Sequence, residues 1–234
     1  MVDRRVDVPL VRLGRWLDGF AQRHGTWAVE SEVPPPSGGR ADAVVASGGA
    51  VGPVWSVRAE DGSLAVVHGP AWLADVEGAG DGDTSAFDPD ALAGLRPVFG
   101  AILLRRAGYA VALFSGRELV ERKLATRHIH GRTAAGGWSQ QRYARRRANQ
   151  ADEIVSACAT AAALLLTRPH RSPAQFLVTG GDRPLVAAAL AELPPAVAAL
   201  PVRGRLSVGT PDRRVLAALP DRVLAVSIGV VDPG

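Results

Sequence analysis

The sequence predicts a protein of mixed α+β class, with a small N-terminal α+β lobe and a larger second domain. Short apolar runs of strand length alternate with longer segments of helical periodicity, and turn signals rich in glycine and proline separate them. Hydrophobic residues make up 47% of the 234 residues, which suffices for a core and excludes a disordered chain. The charged start and the absence of a membrane-length apolar run favour a cytoplasmic protein.

The N-terminal lobe is predicted over residues 1–76. Its first helix begins near Asp7-Val8-Pro9, because proline suits a first helical turn, and ends at Gly25. The apolar residues that follow helical spacing are Leu10, Leu13, Leu17 and Phe20. Short β-like runs lie at 27–32, 43–46, 54–57 and 64–67. A stretch rich in glycine and aspartate, 77–87, is predicted to be a linker.

The second domain is predicted over residues 88–234. Asp88 and Pro89 begin a short helix, Asp88 as its cap. Tight turns join three predicted strands into an antiparallel meander, at 98–104, 109–114 and 118–128. A loop over 129–139 then leads into a long helix over about 140–166. Further strands and helices alternate at 176–179, 182–193, 205–208, 211–219 and 223–231. This order resembles the mixed-sheet layout of ribonuclease H.

Positive charge is concentrated in one window, residues 122–151, which contains no acidic residue. The whole chain carries +4, the window alone +8, and the remainder therefore −4. The basic residues of the window are Arg122, Lys123, Arg127, Arg132, Arg142, Arg145, Arg146 and Arg147. Arginine forks onto phosphate and stacks on bases, so the window predicts an RNA-binding surface. The alternative is a solvated helix face.

A glycine-containing loop, Gly136-Gly137-Trp138-Ser139-Gln140-Gln141, leads directly into the arginine-rich helix. Arg142, Arg145 and Arg146 are three and four residues apart, so they share one helix face. The free N–H groups at the helix start suit an anion. The alternative to a functional loop is an ordinary β–α connection capped by Ser139.

These residues resemble the central domain of eukaryotic and archaeal class I release factors, which carries Gly-Gly-Gln, then Ser, then an Arg-aromatic-Ala-Arg run. Here Gly136-Gly137, Ser139 and Arg142-Tyr143-Ala144-Arg145 occur in the same setting, between a meander and a long helix. Gly137-Trp138-Ser139-Gln140 is more similar to the Gly-x-Ser-Gln pattern of Vms-type release factors, and the short chain resembles their actinobacterial branch. The resemblance covers residues 95–231.

The resemblance implies a peptidyl-tRNA hydrolase that frees nascent chains from stalled ribosomes. Gln140 would be the reactive glutamine, supported by the loop residues Gly136, Gly137 and Ser139. Trp138 occupies the glutamine position of the ungapped Gly-Gly-Gln register, so Gln141 remains a second candidate.

The implied partners are the large ribosomal subunit, peptidyl-tRNA and ribosomal RNA. No cofactor, metal or membrane is expected. Trp138 lies on the glycine-flanked loop and is expected to stack on a base.

Three other functions remain open at this point. Vms-type proteins have also been associated with cleavage of the tRNA 3′ end, which the sequence does not separate from ester hydrolysis. A non-catalytic ribosome-binding module is the second alternative. The third is a ribonuclease of the ribonuclease H type, which would need clustered carboxylates for two metals, and none stand out in 98–128.

Other residues are interpreted as structural or as unsupported sites. His128 and His130 lack an obvious third metal ligand, Gly180-Gly181 is interpreted as a structural turn, and Cys158 as a buried, inert thiol. No Ser/His/Asp triad is predicted.

Overall fold

The computed structural model describes residues 4–30, 52–75, 87–126, 138–169 and 172–233. The chain divides into two compact units, one of Met1–Arg96 with Asp221–Gly234 and one of Pro97–Pro220. Each unit contains a five-stranded sheet and helices, so the predicted mixed α+β class is confirmed. The strand predicted at 43–46 and almost all of the linker predicted at 77–87 lie outside the described residues.

The strands of the first unit are β1 (Arg4–Pro9), β2 (Trp27–Glu30), β3 (Val54–Ala59), β4 (Leu64–His68) and β10 (Ala225–Val231). They form one sheet, antiparallel throughout, in the order β1-β10-β4-β3-β2. The helices of this unit are α1 (Leu13–His24) and α2 (Pro89–Gly94). Short 3-10 turns at Leu10–Arg12 and Ala71–Asp75 were not predicted from the sequence.

Helix α1 shows what the helical spacing did and did not predict. Leu13, Leu17 and Phe20 are buried, and the helix ends at Gly25, whose φ of 87° is in the left-handed region that favours glycine. The predicted start near Asp7-Val8-Pro9 is wrong, because Arg4–Pro9 forms strand β1. That strand is stabilised by pairing with β10 at the far end of the chain, which local periodicity does not reveal.

Helix α2 begins as the sequence predicted. The Asp88 side chain accepts hydrogen bonds from the backbone N–H groups of Asp90 and Ala91, at 2.9 and 3.1 Å, and Pro89 occupies the first turn. The first backbone N–H groups of a helix have no partner within the helix, and the Asp88 carboxylate accepts hydrogen bonds from two of them. Proline, which has no N–H group, fits this first turn without losing a hydrogen bond.

The strands of the second unit are β5 (Val98–Arg105), β6 (Gly108–Ser115), β7 (Glu118–Thr126), β8 (Phe176–Gly181) and β9 (Val202–Leu206). Their order in the sheet is β7-β6-β5-β8-β9. The first three form the predicted antiparallel meander, whereas β8 is parallel to β5 and β9 is parallel to β8. The likeness of this layout to ribonuclease H stays a prediction.

The helices of the second unit begin with α3 (Trp138–Leu166), which packs mainly on β6 and on the helix Arg183–Ala191, and to a lesser extent on β5. Then follow α4 (Arg183–Ala191), α5 (Pro195–Ala198) and α6 (Arg213–Val223), of which α6 continues past the unit boundary at Pro220. Asp182 precedes α4 as predicted, but its side chain makes no capping hydrogen bond.

Neighbouring strands of the second sheet are joined by an aromatic stack. The ring centroids of Phe99 and Phe114 are 5.0 Å apart, and those of Phe99 and Phe176 are 5.5 Å apart. All three rings are almost fully buried, so they link β6, β5 and β8 at the centre of the sheet.

The two units differ from the predicted domains at both ends of the second domain. Residues 88–96 and 221–233 group with the N-terminal strands instead of with the meander. The C-terminal difference is caused by β10, which lies between β1 and β4 in the first sheet although it is the last strand of the chain. Residues 88–96 join the first unit because α2 contacts the 3-10 turn at Leu10–Arg12 and helix α1.

Candidate nucleic-acid interface

The predicted catalytic segment lies between β7 and α3. The helical backbone begins at Trp138, two residues earlier than predicted, so Trp138, Ser139 and Gln140 belong to the first turn of α3 instead of to a loop. Gly136 and Gly137, together with Arg127 and Arg132, lie outside the described residues, as do His128 and His130. The side chains of residues 138–148 are also outside the description.

The second half of helix α3 forms part of the core of the second unit. This half is buried through Ile154, Val155, Cys158, Ala162 and Leu165, in a core shared with β5 and β6. The arginines predicted to bind RNA, Arg142, Arg145, Arg146 and Arg147, belong to the first half of the same helix. The packed half therefore anchors the segment that begins with Trp138 and Gln140.

Arg122 and Lys123 are the two cations of the window whose surroundings are described. Both are exposed on β7, the edge strand of the sheet. Lys123 pairs with the buried Val111, which packs in the core with α3, and Arg122 pairs with Ala112. Because directly paired residues share a face and neighbours alternate, Lys123 lies on the α3 side of the sheet and Arg122 on the other side.

An open cleft of about 270 Å³ lies between β7 and α3. The residues that line it are Tyr109, Ala125, Thr126, Glu153, Ile154 and Ala157. This volume is just below the roughly 300–1,000 Å³ of ordinary small-molecule pockets. Burial, and to a lesser degree Cys158, raises the pKa of the Tyr109 hydroxyl. The Glu153 carboxylate disfavours phosphate there.

The pair Gly180-Gly181 has a structural role, as predicted. The two residues end β8, and Gly181 has a φ of 106°. A Cβ on Gly181 would lie 2.1 Å from the carbonyl oxygen of Leu104, so a larger residue would separate β8 from β5.

In the first unit the structure brings together a serine, a histidine and an aspartate that the sequence did not connect. His24 Nδ1 lies 2.9 Å from Asp61 Oδ2 and 3.0 Å from Ser63 Oγ. The Ser63 backbone N–H and, second, His24 lower the pKa of Asp61. A hydrolytic triad needs the serine and the carboxylate on different imidazole nitrogens, whereas both meet Nδ1 here. Ser63 is also 1% exposed, so this cluster is structural.

No group of three or more potential metal ligands occurs among the described residues. Within that same part of the chain, no helix is long and apolar enough to cross a membrane.

Residues 97–229 match the model of a protein family described as the Actinobacteria/chloroflexi VLRF1 release factor. The chain belongs to this family. The match covers more than half of the 234 residues and begins where the second unit begins. No curated protein matches the chain.

Membership in the VLRF1 release-factor family confirms the resemblance proposed from the Gly-x-Ser-Gln pattern. It makes this protein a release factor, a class that acts in translation at the ribosome. The match includes the whole segment from β5 through β9 and all of the 122–151 window. The VLRF1 match does not assign roles to individual residues.

Proposed function

We propose that this protein hydrolyses peptidyl-tRNA on the large ribosomal subunit and thereby frees nascent chains from stalled ribosomes in the cytoplasm. The observation that carries the proposal is the release-factor family match over residues 97–229, which contains Gly137-Trp138-Ser139-Gln140. The reaction needs no cofactor in this scheme. Its partners are the ribosome, peptidyl-tRNA and ribosomal RNA.

Gln140 is the residue we propose for the chemistry, with Ser139, Gly136 and Gly137 supporting it. A glutamine amide donates two hydrogen bonds and accepts others, but it does not take up a proton at neutral pH. It therefore acts by holding a water against the ester carbonyl, since positioning of a reactant removes several kcal/mol from a barrier. Glycines before it let the backbone approach RNA without a Cβ.

The start of α3 supports this role through its backbone. The first N–H groups of a helix have no partner within the helix, and its dipole favours negative charge at that end. Gln140 belongs to the first turn of α3. An oxyanion that develops at the ester carbonyl would be stabilised in such surroundings.

The basic window supplies the RNA contacts in this proposal. Arg122 and Lys123 are exposed on the edge strand, and neither is neutralised by an ion pair within the described residues. The other members, Arg127, Arg132, Arg142, Arg145, Arg146 and Arg147, would bind phosphates, and Trp138 would stack on a base.

The decisive experiment is release of a labelled nascent chain from purified ribosome–nascent-chain complexes. We expect Gln140→Ala to slow release by about 10²-fold to 10³-fold, the usual loss when one stabilising donor is removed, while ribosome binding is retained. Gln141→Ala is the matched neighbour and should release normally. The opposite pattern would move the role to Gln141, and normal release by both variants would contradict a glutamine mechanism.

The products of the same reaction test the two alternatives to ester hydrolysis. A free peptide with intact tRNA supports the hydrolase, whereas a peptide on a short nucleotide tail indicates cleavage of the tRNA 3′ end. Full function in cells of Gln140→Ala, combined with loss of function on charge reversal at Arg145, Arg146 and Arg147, would instead indicate a binding module.

A further inference from the structure

A second group of arginines lies outside the 122–151 window, at the side of the second unit's sheet where strands β5 and β8 end. This side of the sheet is called its edge, as distinct from the edge strand β7. Arg105 ends β5, Arg106 follows in the turn to β6, and Arg183 begins α4 after β8. All three side chains are exposed. We call them the edge arginines.

The strand directions bring this edge to the end of β7. Strands β5 and β7 both run antiparallel to β6, so they end at the same edge. In register, Gly108 pairs with Arg105 on one side and with Thr126 on the other. Thr126 is the last described residue before the predicted glycine loop. The edge arginines are therefore close to the point where the chain leaves the sheet toward that loop.

Gly181 brings the third arginine to the same edge. The Asp182 backbone N–H donates to the Leu104 carbonyl oxygen at 2.8 Å, and a Cβ on Gly181 would lie 3.2 Å from Arg105 Cγ. This close approach, which only glycine permits, sets Arg183 beside the end of β5.

The edge arginines have no ion pair within the described residues, in contrast to Arg58 with Glu30 and Arg168 with Glu121. Asp182 at the start of α4 offsets part of the charge. Leu104, which precedes Arg105, is fully buried, so no apolar side chain of β5 accompanies the arginines at the surface.

We propose that the edge arginines bind phosphates of the RNA and extend the surface of the 122–151 window. The inference rests on the proposed function, because the RNA is that of the large subunit or its bound tRNA. A guanidinium group can donate two parallel hydrogen bonds to two oxygens of one phosphate. Sheets with parallel strands bind their ligands at the carboxyl ends of those strands. RNA is preferred to an acidic protein because β7, which ends at the same edge, carries the exposed cations Arg122 and Lys123, and β5 exposes no apolar side chain there.

The test measures binding to purified bacterial large ribosomal subunits over a series of salt concentrations. Arg106→Glu and Arg183→Glu should each weaken binding by about tenfold at moderate salt and lower the slope of log affinity against log salt by about one. Arg117→Glu is the matched control, because Arg117 is exposed in the next turn of the meander, at the opposite edge of the sheet. Its binding and slope should equal those of the natural protein. Thermal melts check that all variants fold.

Three results would overturn the inference. The first is an unchanged affinity for the subunit in both edge variants. The second is an equal loss of affinity in Arg117→Glu, which would indicate that net charge alone matters. The third is displacement of the subunit as readily by polyglutamate as by tRNA. Release assays keep this inference apart from the proposed function. Normal binding by the edge variants while Gln140→Ala loses release would reject only the edge surface. Normal release by Gln140→Ala and Gln141→Ala with weak binding by the edge variants would reject only the glutamine chemistry.

Discussion

At the scale of single residues, burial determines the chemistry of Cys158. Its side chain is 0% exposed, among the alanines of α3 and the apolar residues of β5 and β6. Burial raises the pKa of the thiol to about 12. Because the thiolate is the reactive form, Cys158 is inert in the folded protein, as the sequence predicted.

From the burial of Cys158 we predict how a thiol reagent labels it and how the free energy of unfolding depends on pH. A thiol reagent should label it slowly in the native protein and completely in denaturant. The folded thiol stays protonated while the unfolded thiol, with a pKa near 9.0, ionises, so the free energy of unfolding should fall as pH rises from 9.0 to about 12.

Urea unfolding of the natural protein and of Cys158→Ala at several pH values isolates this contribution, because every other group titrates in both. The prediction fails if the difference in stability between them does not change above pH 9.0, or if native protein is labelled rapidly.

Gly181 illustrates a residue whose importance depends on distant neighbours. The glycine pair between a strand and a helix predicted a structural turn, and the positive φ agrees with it. The contact that requires glycine is with Leu104, a residue on another strand. The sequence does not reveal that partner, because β5 and β8 pair in parallel although β6, β7 and the long helix α3 separate them in the chain.

At the scale of elements, the sequence divides α3 into an arginine-rich first half and an apolar second half. The apolar periodicity of its second half predicted a packed helix, and residues from Ile154 to Leu166 confirm it. The first half is rich in arginine and would serve the RNA. Packing of the second half against β5 and β6 fixes the helix at that end.

Adjacent leucines on α3 give a matched test of this packing. Leu165 is 4% exposed and Leu164 is 62% exposed. Leu165→Ala should lower the free energy of unfolding by about 2–5 kcal/mol, because it leaves a cavity against the sheet. Leu164→Ala should change it by less than about 0.5 kcal/mol. Denaturant unfolding of the two variants measures the difference, and similar losses would mean that α3 packs differently.

At the scale of the whole molecule, the two ends of the chain form one sheet. Strand β10 pairs with β1 on one side and β4 on the other, so it completes the first unit from the last residues of the sequence. Trp72 adds a further link, since its Nε1–H donates to the Val223 carbonyl oxygen at 2.9 Å. The C-terminal segment is therefore needed to fold the N-terminal lobe.

A charge in the centre of β10 tests this arrangement. Ile228 is 0% exposed and Ser227 is partly exposed, so Ile228→Asp buries a carboxylate whereas Ser227→Asp does not. Ile228→Asp should raise amide exchange in β1 and β4, its two partners, while β5 and β6 stay protected. Ser227→Asp should leave all four strands protected. Uniform exchange throughout Ile228→Asp would show that both units unfold together.

The sequence by itself determined the α+β class, the meander, the end of α1, the Asp88 cap and the family, because each depends on residues close together in the chain. Periodicity, capping and a short motif are local signals, and the folded protein keeps the local structure that they predict. The tertiary structure alone decided that Arg4–Pro9 is a strand, that β10 joins the first unit and that Arg105, Arg106 and Arg183 share an edge. Those features are created by hydrogen bonds between distant segments, whose pairing no local pattern encodes.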